Sequence, residues 1–289
     1  MGQFKHPNII SLYGVIVKKQ TVKIVMEYMT NGSLNHYLMK NNGKLILLQL
    51  LGMARGIASG MNYLSGRNFI HRDLAARNIL VDEQMICKVS DFGLTREICQ
   101  TSNYETRGGK IPIRWTAPEV IKHRKSFKAS DVWSYGVVLW EIMAYGQRPY
   151  WEWDNFRVLQ ELENGYRLPA PLKCPKSVHT LMLDCWEKER TSRPTFLQII
   201  ERLDDWIRSP ETVHYSPEIK LRKNIKEIQS PISDWLDSIK MGKYAVNFHD
   251  AGYDRLSQIM NLTEQDLTEM GITLIGHRHK IHQSIPLIT

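Results

Sequence analysis

Alternation of apolar and polar residues marks the first elements of the chain. Residues 11–17 and 21–27 read as two antiparallel strands around the polar turn Lys18-Lys19-Gln20. Over 45–64 the apolar positions spread across one broad face, which predicts a long helix. Two short apolar pieces, Ile79-Leu80-Val81 and Ile86-Cys87-Lys88-Val89, enclose a polar turn and predict a hairpin. An apolar helix is expected from Asp131 to about Ala144, and helical periods recur over 155–164, 176–187 and 195–207. The pattern then lapses. Residues 209–230 are polar, hold two prolines and show no period, as an interdomain linker would. From Ile232 helical spacing returns in five short pieces, around 235–239, 244–248, 256–260, 264–270 and 277–285. Trp235, Leu236, Leu267 and Ile272 are their expected core, and Thr263 with Asp266 has the spacing of a reciprocal helix cap. The organisation predicted is a domain over 1–208, a linker over 209–230 and a small helical module over 231–289.

The polar residues flanking the hairpin at 79–89 are ones an ordinary core rejects. His71, Arg72, Asp73, Arg77 and Asn78 precede it; Asp91, Phe92 and Gly93 follow. Phosphoryl transfer needs a carboxylate to take the proton of the attacking hydroxyl, and hard oxygen ligands that hold magnesium against phosphates. Asp73 suits the first task, and Asn78 and Asp91 the second.

Composition narrows the partners. Hydrophobic residues make up 43% of the 289, as in ordinary globular proteins. The formal net charge is +8, yet from Ile232 onward five basic residues face seven acidic ones, so the basic excess lies upstream. No basic-aromatic interleaving accompanies it, and nucleic-acid binding is not expected. Four cysteines (Cys87, Cys99, Cys174, Cys185) form no C-x-x-C pair, and three of them lie near apolar neighbours and read as small core residues in a reducing compartment. No run of 18 apolar residues is present, and the start MGQFKH has neither a signal-peptide stretch nor a myristoylation pattern.

Taken together, His71-Arg72-Asp73, Asn78 five residues after Asp73, and Asp91-Phe92-Gly93 resemble the catalytic and magnesium-binding loops of protein kinases. Leu74-Ala75-Ala76-Arg77 resembles the tyrosine-kinase version, in which Arg77 would help position the substrate tyrosine. The resemblance implies an α+β protein-kinase-like fold: an N-lobe reduced to the end of the C helix and two strands, then a mainly helical C-lobe. Residues 1–8 would be the last turn of that C helix and the turn after it. Glu27 to Met29 match the hinge whose backbone binds adenine, Met26 would gate the pocket behind it, and Leu80 would be its floor. Met1, Leu12, His71 and Phe92 match a stack of apolar spine positions. The segment from Leu94 to Glu119 resembles an activation segment with Tyr104 as its phosphorylation site, near Arg72 and Arg96 as phosphate partners. Lys110 to Trp115 resembles the ledge on which a substrate peptide lies. Asp131 would brace the catalytic loop, and Arg193 would pair with Glu119. The implied cofactors are ATP and Mg2+, with Mn2+ as an alternative ion.

WLDSIKMGKY and NLTEQDLTEMGITLIGHRHKI are similar to a sterile alpha motif (SAM) domain, an all-α five-helix fold. Within it Lys240, Arg278, His279 and Lys280 are a candidate basic face for a partner SAM; Tyr244, and Tyr215 in the linker, are candidate phosphorylation sites. A tyrosine kinase followed by a SAM domain resembles the Eph receptors, and TRGGKIPIRWTAPE and SDVWSYGVVLWEIM strengthen the match. The resemblance implies the cytoplasmic part of a single-pass plasma-membrane receptor for ephrins, with protein tyrosines as substrates. SAM or phosphotyrosine-reading proteins would be its partners, and a homo-oligomer is in keeping with it. The sequence contains no G-x-G-x-x-G loop and no V-A-I-K strand, which hold the phosphates in kinases. The chain by itself is therefore expected to bind ATP poorly. The alternative expectation is a short cytoplasmic form that works as a SAM-bearing scaffold.

Overall fold

The computed structural model describes residues 4–18, 21–97, 104–105, 111–213, 232–259 and 262–285. The chain divides into two compact units, Met1–Ser216 and Pro217–Thr289.

In the first unit, β1 (Leu12–Lys18) and β2 (Thr21–Met26) pair antiparallel, with Leu12 opposite Met26 and Lys18 opposite Thr21. Their β-branched residues explain the strands, but Val15, Val17, Val22 and Ile24 are all more than half exposed. Of the segment expected to hold the end of a helix and the turn after it, 1–3 lie outside the described residues, 4–6 are irregular and the turn follows at Pro7 and Asn8. Pro7 sits in a turn in which the Ile9 N–H reaches the His6 carbonyl. After α1 (Leu34–Lys40) comes α2 (Leu47–Gly66), which buries Leu51, Ala54, Ile57, Ala58, Met61 and Leu64. The first segment docks on α2 through two glycines. A Cβ on Gly60 would lie 2.5 Å from the Asn8 carbonyl oxygen, and one on Gly56 would lie 2.8 Å from Asn8 Nδ2.

The predicted hairpin forms as β4 (Ile79–Val81) against β5 (Cys87–Val89), with Ile79 opposite Val89. Before it, β3 (Phe69–Ile70) pairs with β6 (Arg96–Glu97). Tyr104, read from sequence as part of a loop, lies in β7 (Tyr104–Glu105), which pairs with β8 (Lys125–Ser126). Between β7 and β8, α3 (Pro118–His123) starts on a proline, whose missing N–H costs nothing in a first helical turn.

The centre of the unit is α4 (Lys128–Met143), where every residue from Ser130 to Met143 is buried. A helix apolar on all sides has to be an interior one. Around it lie α5 (Asn155–Glu163), begun by the Asp154 side chain accepting from the Arg157 N–H, then α6 (Lys176–Cys185) and α7 (Phe196–Arg208). A capping box between Thr195 and Gln198 opens α7. Cys87, Cys174 and Cys185 are buried free thiols, as composition suggested; Cys99 lies outside the described residues.

The second unit holds α8 (Ile232–Ser238), α9 (Ala245–Asp250), α10 (Glu264–Glu269) and α11 (Ile275–Ser284). A 3-10 turn, Leu256–Ile259, stands where the third of the five pieces was expected. Thr263 and Asp266 form the anticipated box: Thr263 Oγ1 accepts from the Asp266 N–H at 3.2 Å, and Asp266 Oδ2 accepts from the Thr263 N–H at 2.7 Å. Leu236, Phe248, Leu267, Ile272 and Ile281 are fully buried. Trp235 is at the rim instead, half-buried and edge-on to Phe248. Among the described residues no helix is long and apolar enough to cross a membrane.

Candidate active site

The catalytic-loop segment is gripped by a buried carboxylate. Asp131, in the first turn of α4, accepts from the His71 N–H at 2.7 Å and the Arg72 N–H at 3.0 Å. These bonds hold Arg72 at φ 73, a left-handed conformation that costs a non-glycine residue about 1–2 kcal/mol. Burial pushes the Asp131 carboxyl above the ordinary carboxylate range, even against both bonds and the neighbouring His71 and Arg72.

His71 is itself an interior strut. Its Nδ1 receives the Asp73 N–H at 3.3 Å, which leaves Nε2 as the proton-bearing nitrogen facing the Ser90 carbonyl at 2.9 Å. Ser90 then closes the circuit: its N–H and hydroxyl both donate to the Asn78 carbonyl, at 2.9 and 2.8 Å. Asp91 follows Ser90 directly, so the end of β5 brings Asp91 beside Asn78. The Asn78 amide donates Nδ2–H to the Asp73 carbonyl at 2.7 Å, which orients the side chain and leaves its Oδ1 for another partner. Asp91 is exposed, with φ 58, and Oδ1 accepts from the Gly93 N–H at 3.3 Å. An amide oxygen and a carboxylate on adjoining strand ends are the hard oxygen donors that Mg2+ takes, alongside phosphate oxygens and water.

Asp73 is partly buried, and its carboxylate pairs with the guanidinium of Arg77 four residues on. That guanidinium also lies over the Trp115 ring, 4.4 Å from its centroid. Trp115 ends the 3-10 turn Ile113–Trp115 within the expected substrate ledge, of which 111–115 are described and Lys110 is not. The ledge is anchored by Arg114, which donates to the carbonyls of Pro149, Tyr150 and Trp153. Glu119, Arg193 and Ser130 form a separate buried cluster. Arg193 spans both Glu119 oxygens at 2.7 and 2.9 Å, and the Ser130 hydroxyl adds 3.0 Å.

At the expected hinge, the Met29 side chain is buried and the Met29 carbonyl accepts from the Gly32 N–H. Among the described residues the Glu27 carbonyl and the Met29 N–H enter none of the loop backbone hydrogen bonds. The Glu27 side chain is occupied: it pairs with Lys88 Nζ at 2.5 Å and accepts from the Ser11 N–H at 2.5 Å. Burial pushes its carboxyl up, and these bonds carry it below the usual range. Leu80 is half-buried in β4, bridged to Ser33. Of the spine positions, Phe92 and His71 meet at 5.5 Å between ring centres, and Leu12 is partly exposed at the start of β1. Met1 lies outside the described residues.

Phe4 was not anticipated. It packs on Phe92 at 5.6 Å and on Phe69 at 4.9 Å, extending the ring stack toward α2. Glu141 and Ser90 were also missed as site residues, and Trp115, expected as part of the substrate ledge, was not expected to carry the Arg77 guanidinium. Glu141 had one visible signal: it is the only charged residue between Asp131 and Met143 in an otherwise apolar helix. Of the remaining candidates, Tyr104 is placed by its backbone alone, and Tyr215 is outside the described residues. Tyr244 is half-buried, its hydroxyl hydrogen-bonded to His277 Nδ1. Two of the four residues of the candidate basic face are used inside the SAM-like unit. Arg278 donates to the carbonyls of Ile272 and Thr273, and His279 pairs with Glu264 at 2.6 Å.

Comparison with known proteins agrees with this geometry. Residues 1–203 match the protein tyrosine and serine/threonine kinase family, and residues 227–287 match the SAM (sterile alpha motif) domain. The chain is 51% identical to Ephrin type-A receptor 5 of Gallus gallus over 296 aligned positions, 99% of this chain and 29% of that receptor. It is 52% identical to Ephrin type-A receptor 3 of Danio rerio and 50% identical to Ephrin type-A receptor 8 of Homo sapiens, again over 99% of this chain and 30% of each receptor. The chain thus spans about three tenths of the length of the curated relatives it matches. Kinase signature, interior α4 and C-terminal helical module coincide with these matches, and the chain belongs to the protein tyrosine and serine/threonine kinase family, with a SAM domain after its kinase region.

Proposed function

We propose that the kinase region transfers the γ-phosphoryl group of ATP to tyrosine hydroxyls of proteins, as part of a receptor tyrosine kinase that signals from ephrins. The observation that carries this is the closed circuit His71–Ser90–Asn78–Asp73, which gathers a candidate base and two oxygen ligands at one end of the β4–β5 hairpin. Asn78 and Asp91 would hold Mg2+, or Mn2+ in its place. The Glu27 carbonyl and Met29 N–H would meet adenine over Leu80. Bound Mg-ATP supplies the phosphoryl group and neutralises its charge. Asp73 would take the proton of the tyrosine hydroxyl as that oxygen bonds the γ-phosphorus and the bond from this phosphorus to the β-phosphate oxygen breaks, releasing ADP, and Arg77, backed by Trp115, would orient the acceptor ring. Tyrosine rather than serine is favoured because Arg77 and Trp115 stack into a flat wall beside Asp73. Tyr104 is the proposed activating phosphosite, with Tyr215 and Tyr244 as further sites. The domain division is proposed at 1–208, 209–230 and 231–289, with the SAM domain recruiting signalling proteins or further SAM domains at the cytoplasmic face of the membrane.

A specific observation favours a second function for this chain in isolation, as a SAM-bearing interaction protein with little turnover. The apolar residues of β1 and β2 are exposed, no third strand joins that sheet among the described residues, and a two-stranded sheet is a weak platform for nucleotide. One assay separates the two. The purified chain is given Mg-ATP and a tyrosine peptide. Phosphotyrosine formed by the wild type and lost in Asp73→Asn establishes transfer; no product from either leaves the scaffold function.

A further inference from the structure

A buried carboxylate ten residues beyond Asp131 touches both halves of the site. Glu141 is fully interior on α4, and its Oε2 accepts two hydrogen bonds: from the Ala76 N–H at 2.9 Å and from Trp115 Nε1 at 3.0 Å. Ala76 immediately precedes Arg77, and Trp115 is the ring on which the Arg77 guanidinium rests. One oxygen therefore fixes the backbone that launches Arg77 and the surface that receives it. We infer that Glu141 is the positioning residue for Arg77: through Trp115 and Ala76 it sets where the guanidinium meets Asp73, and hence how an acceptor hydroxyl approaches that carboxylate. The inference rests on the phosphotransfer function proposed above, but its geometry can be tested apart from it.

The groups around Glu141 are few. From the catalytic loop it faces Arg77, which is itself paired with Asp73; from the 113–115 turn it faces the neutral indole, since Arg114 is directed at the carbonyls of Pro149, Tyr150 and Trp153. Burial pushes the Glu141 carboxyl up to about 7, against the two hydrogen bonds and the charge of Arg77. An indole N–H bonded to a titrating carboxyl reports that titration in its own resonance.

The test uses the full chain with 15N-labelled tryptophan and arginine. Trp115→Phe assigns the indole signal, and Arg77→Lys assigns the guanidinium. In the wild type the Trp115 indole signal should titrate with a midpoint near 7. In Glu141→Gln that titration should vanish. The Arg77 signal should shift in both Glu141→Gln and Trp115→Phe, read well below the melting temperature of each variant, since both cut the same link. An Arg77 signal indifferent to both substitutions, or an indole signal flat across pH 5.5–8.5 in the wild type, overturns the proposal. Where the wild type phosphorylates a tyrosine peptide, Glu141→Gln should lower kcat about tenfold or more with little change in peptide KM, as loss of orientation does. It should also flatten the pH profile near 7, whereas a merely destabilised variant keeps the profile. A wild type without turnover refutes the phosphotransfer function and leaves the resonance test to decide this one.

Discussion

The pair Glu119–Arg193 gives the sharpest stability test. The Arg193 side chain is wholly inaccessible to solvent and that of Glu119 is 19% exposed. Besides the two bonds to Glu119, Arg193 donates to the carbonyls of Glu187 at 2.9 Å and Ala129 at 3.0 Å, and it lies 5.1 Å from the centre of the Trp133 ring. Glu119→Gln keeps the shape but removes the counter-charge, leaving a guanidinium sealed among carbonyls. Breaking a buried pair in this way costs about 3–5 kcal/mol. For a unit of some 200 residues, 1 kcal/mol moves the melting temperature by about 2–4 °C, so the kinase-like transition should fall by roughly 6–20 °C. Arg193→Met should cost at least as much, because it also strands carbonyls that the guanidinium satisfied. The double variant removes both charges and should lose clearly less than the two single losses combined, with a coupling of about 2 kcal/mol or more. Urea or thermal unfolding of the four proteins measures the cycle. Single variants each within about 1 kcal/mol of wild type, or strictly additive losses, would refute a charge pair that depends on mutual neutralisation.

Three other outcomes follow from the same structure. Gly60→Ala should destabilise the kinase-like unit by about 1–2 kcal/mol although alanine is the better helix former, because its Cβ would press on the Asn8 carbonyl at 2.5 Å; a variant more stable than wild type in thermal melts disproves that contact. Thr263→Ala should remove about 1 kcal/mol from the start of α10, seen as faster amide exchange over 264–270 in the full chain, and unchanged exchange there would dismiss the cap as decorative. Stability should also fall on both sides of about pH 4.5. Burial raises Glu119, but Arg193 and Ser130 carry it below its ordinary 4.5, so its contribution is present above that value and is lost as pH falls further. Glu141 is raised to about 7, so the stability tied to its neutral form is complete below 4.5 and is lost as pH rises through 7, by about 3 kcal/mol in all. Melting temperatures from pH 5.5 to 8.5 should decline in the wild type and stay level in Glu141→Gln; parallel curves would contradict the assignment.

What the sequence disclosed depended on how local each cause was. Long runs with one period, such as α2, α4 and α7, emerge within a residue or three of their expected ends, because burial of one face or of the whole helix is written into consecutive residues. Asp73, Asn78 and Asp91 were legible because their spacing follows from one hairpin. The pairing of β7 with β8 was not, since each is two residues long and the partners lie twenty apart. The contacts of Trp115, Glu141 and Phe4 were hidden for a different reason. Trp115 stood in the expected ledge and Glu141 as a lone charge in an apolar helix, but only packing shows that the two meet at Arg77 and that Phe4 covers Phe92. Trp235 errs the other way: apolar spacing marks it as core, yet Ile232 and Leu236 take the buried face of its helix and the Trp235 ring stays at the rim.

The two carboxylates of α4 explain how a loop with so few side-chain partners can hold a geometry. Asp131 and Glu141 are ten residues apart on one helix, about 15 Å along its axis. The first fixes the backbone at His71 and Arg72, the second at Ala76. The four steps from Arg72 to Ala76 can reach at most about 14 Å when fully extended, and Ala75 is indeed extended, with φ −160 and ψ 156. The loop is tied to one interior helix at both of these points. Asp73 lies between them, and its own N–H and carbonyl are bonded to His71 Nδ1 and Asn78 Nδ2, so its backbone is fixed without any contact of its carboxylate. The carboxylate is left to pair with Arg77 and, under the proposed function, could exchange that partner for a substrate proton without the loop moving. On this account α4 is the part of the fold that the chemistry depends on most. Substitutions at Asp131 should displace Asp73 from one end and those at Glu141 from the other, although neither touches it.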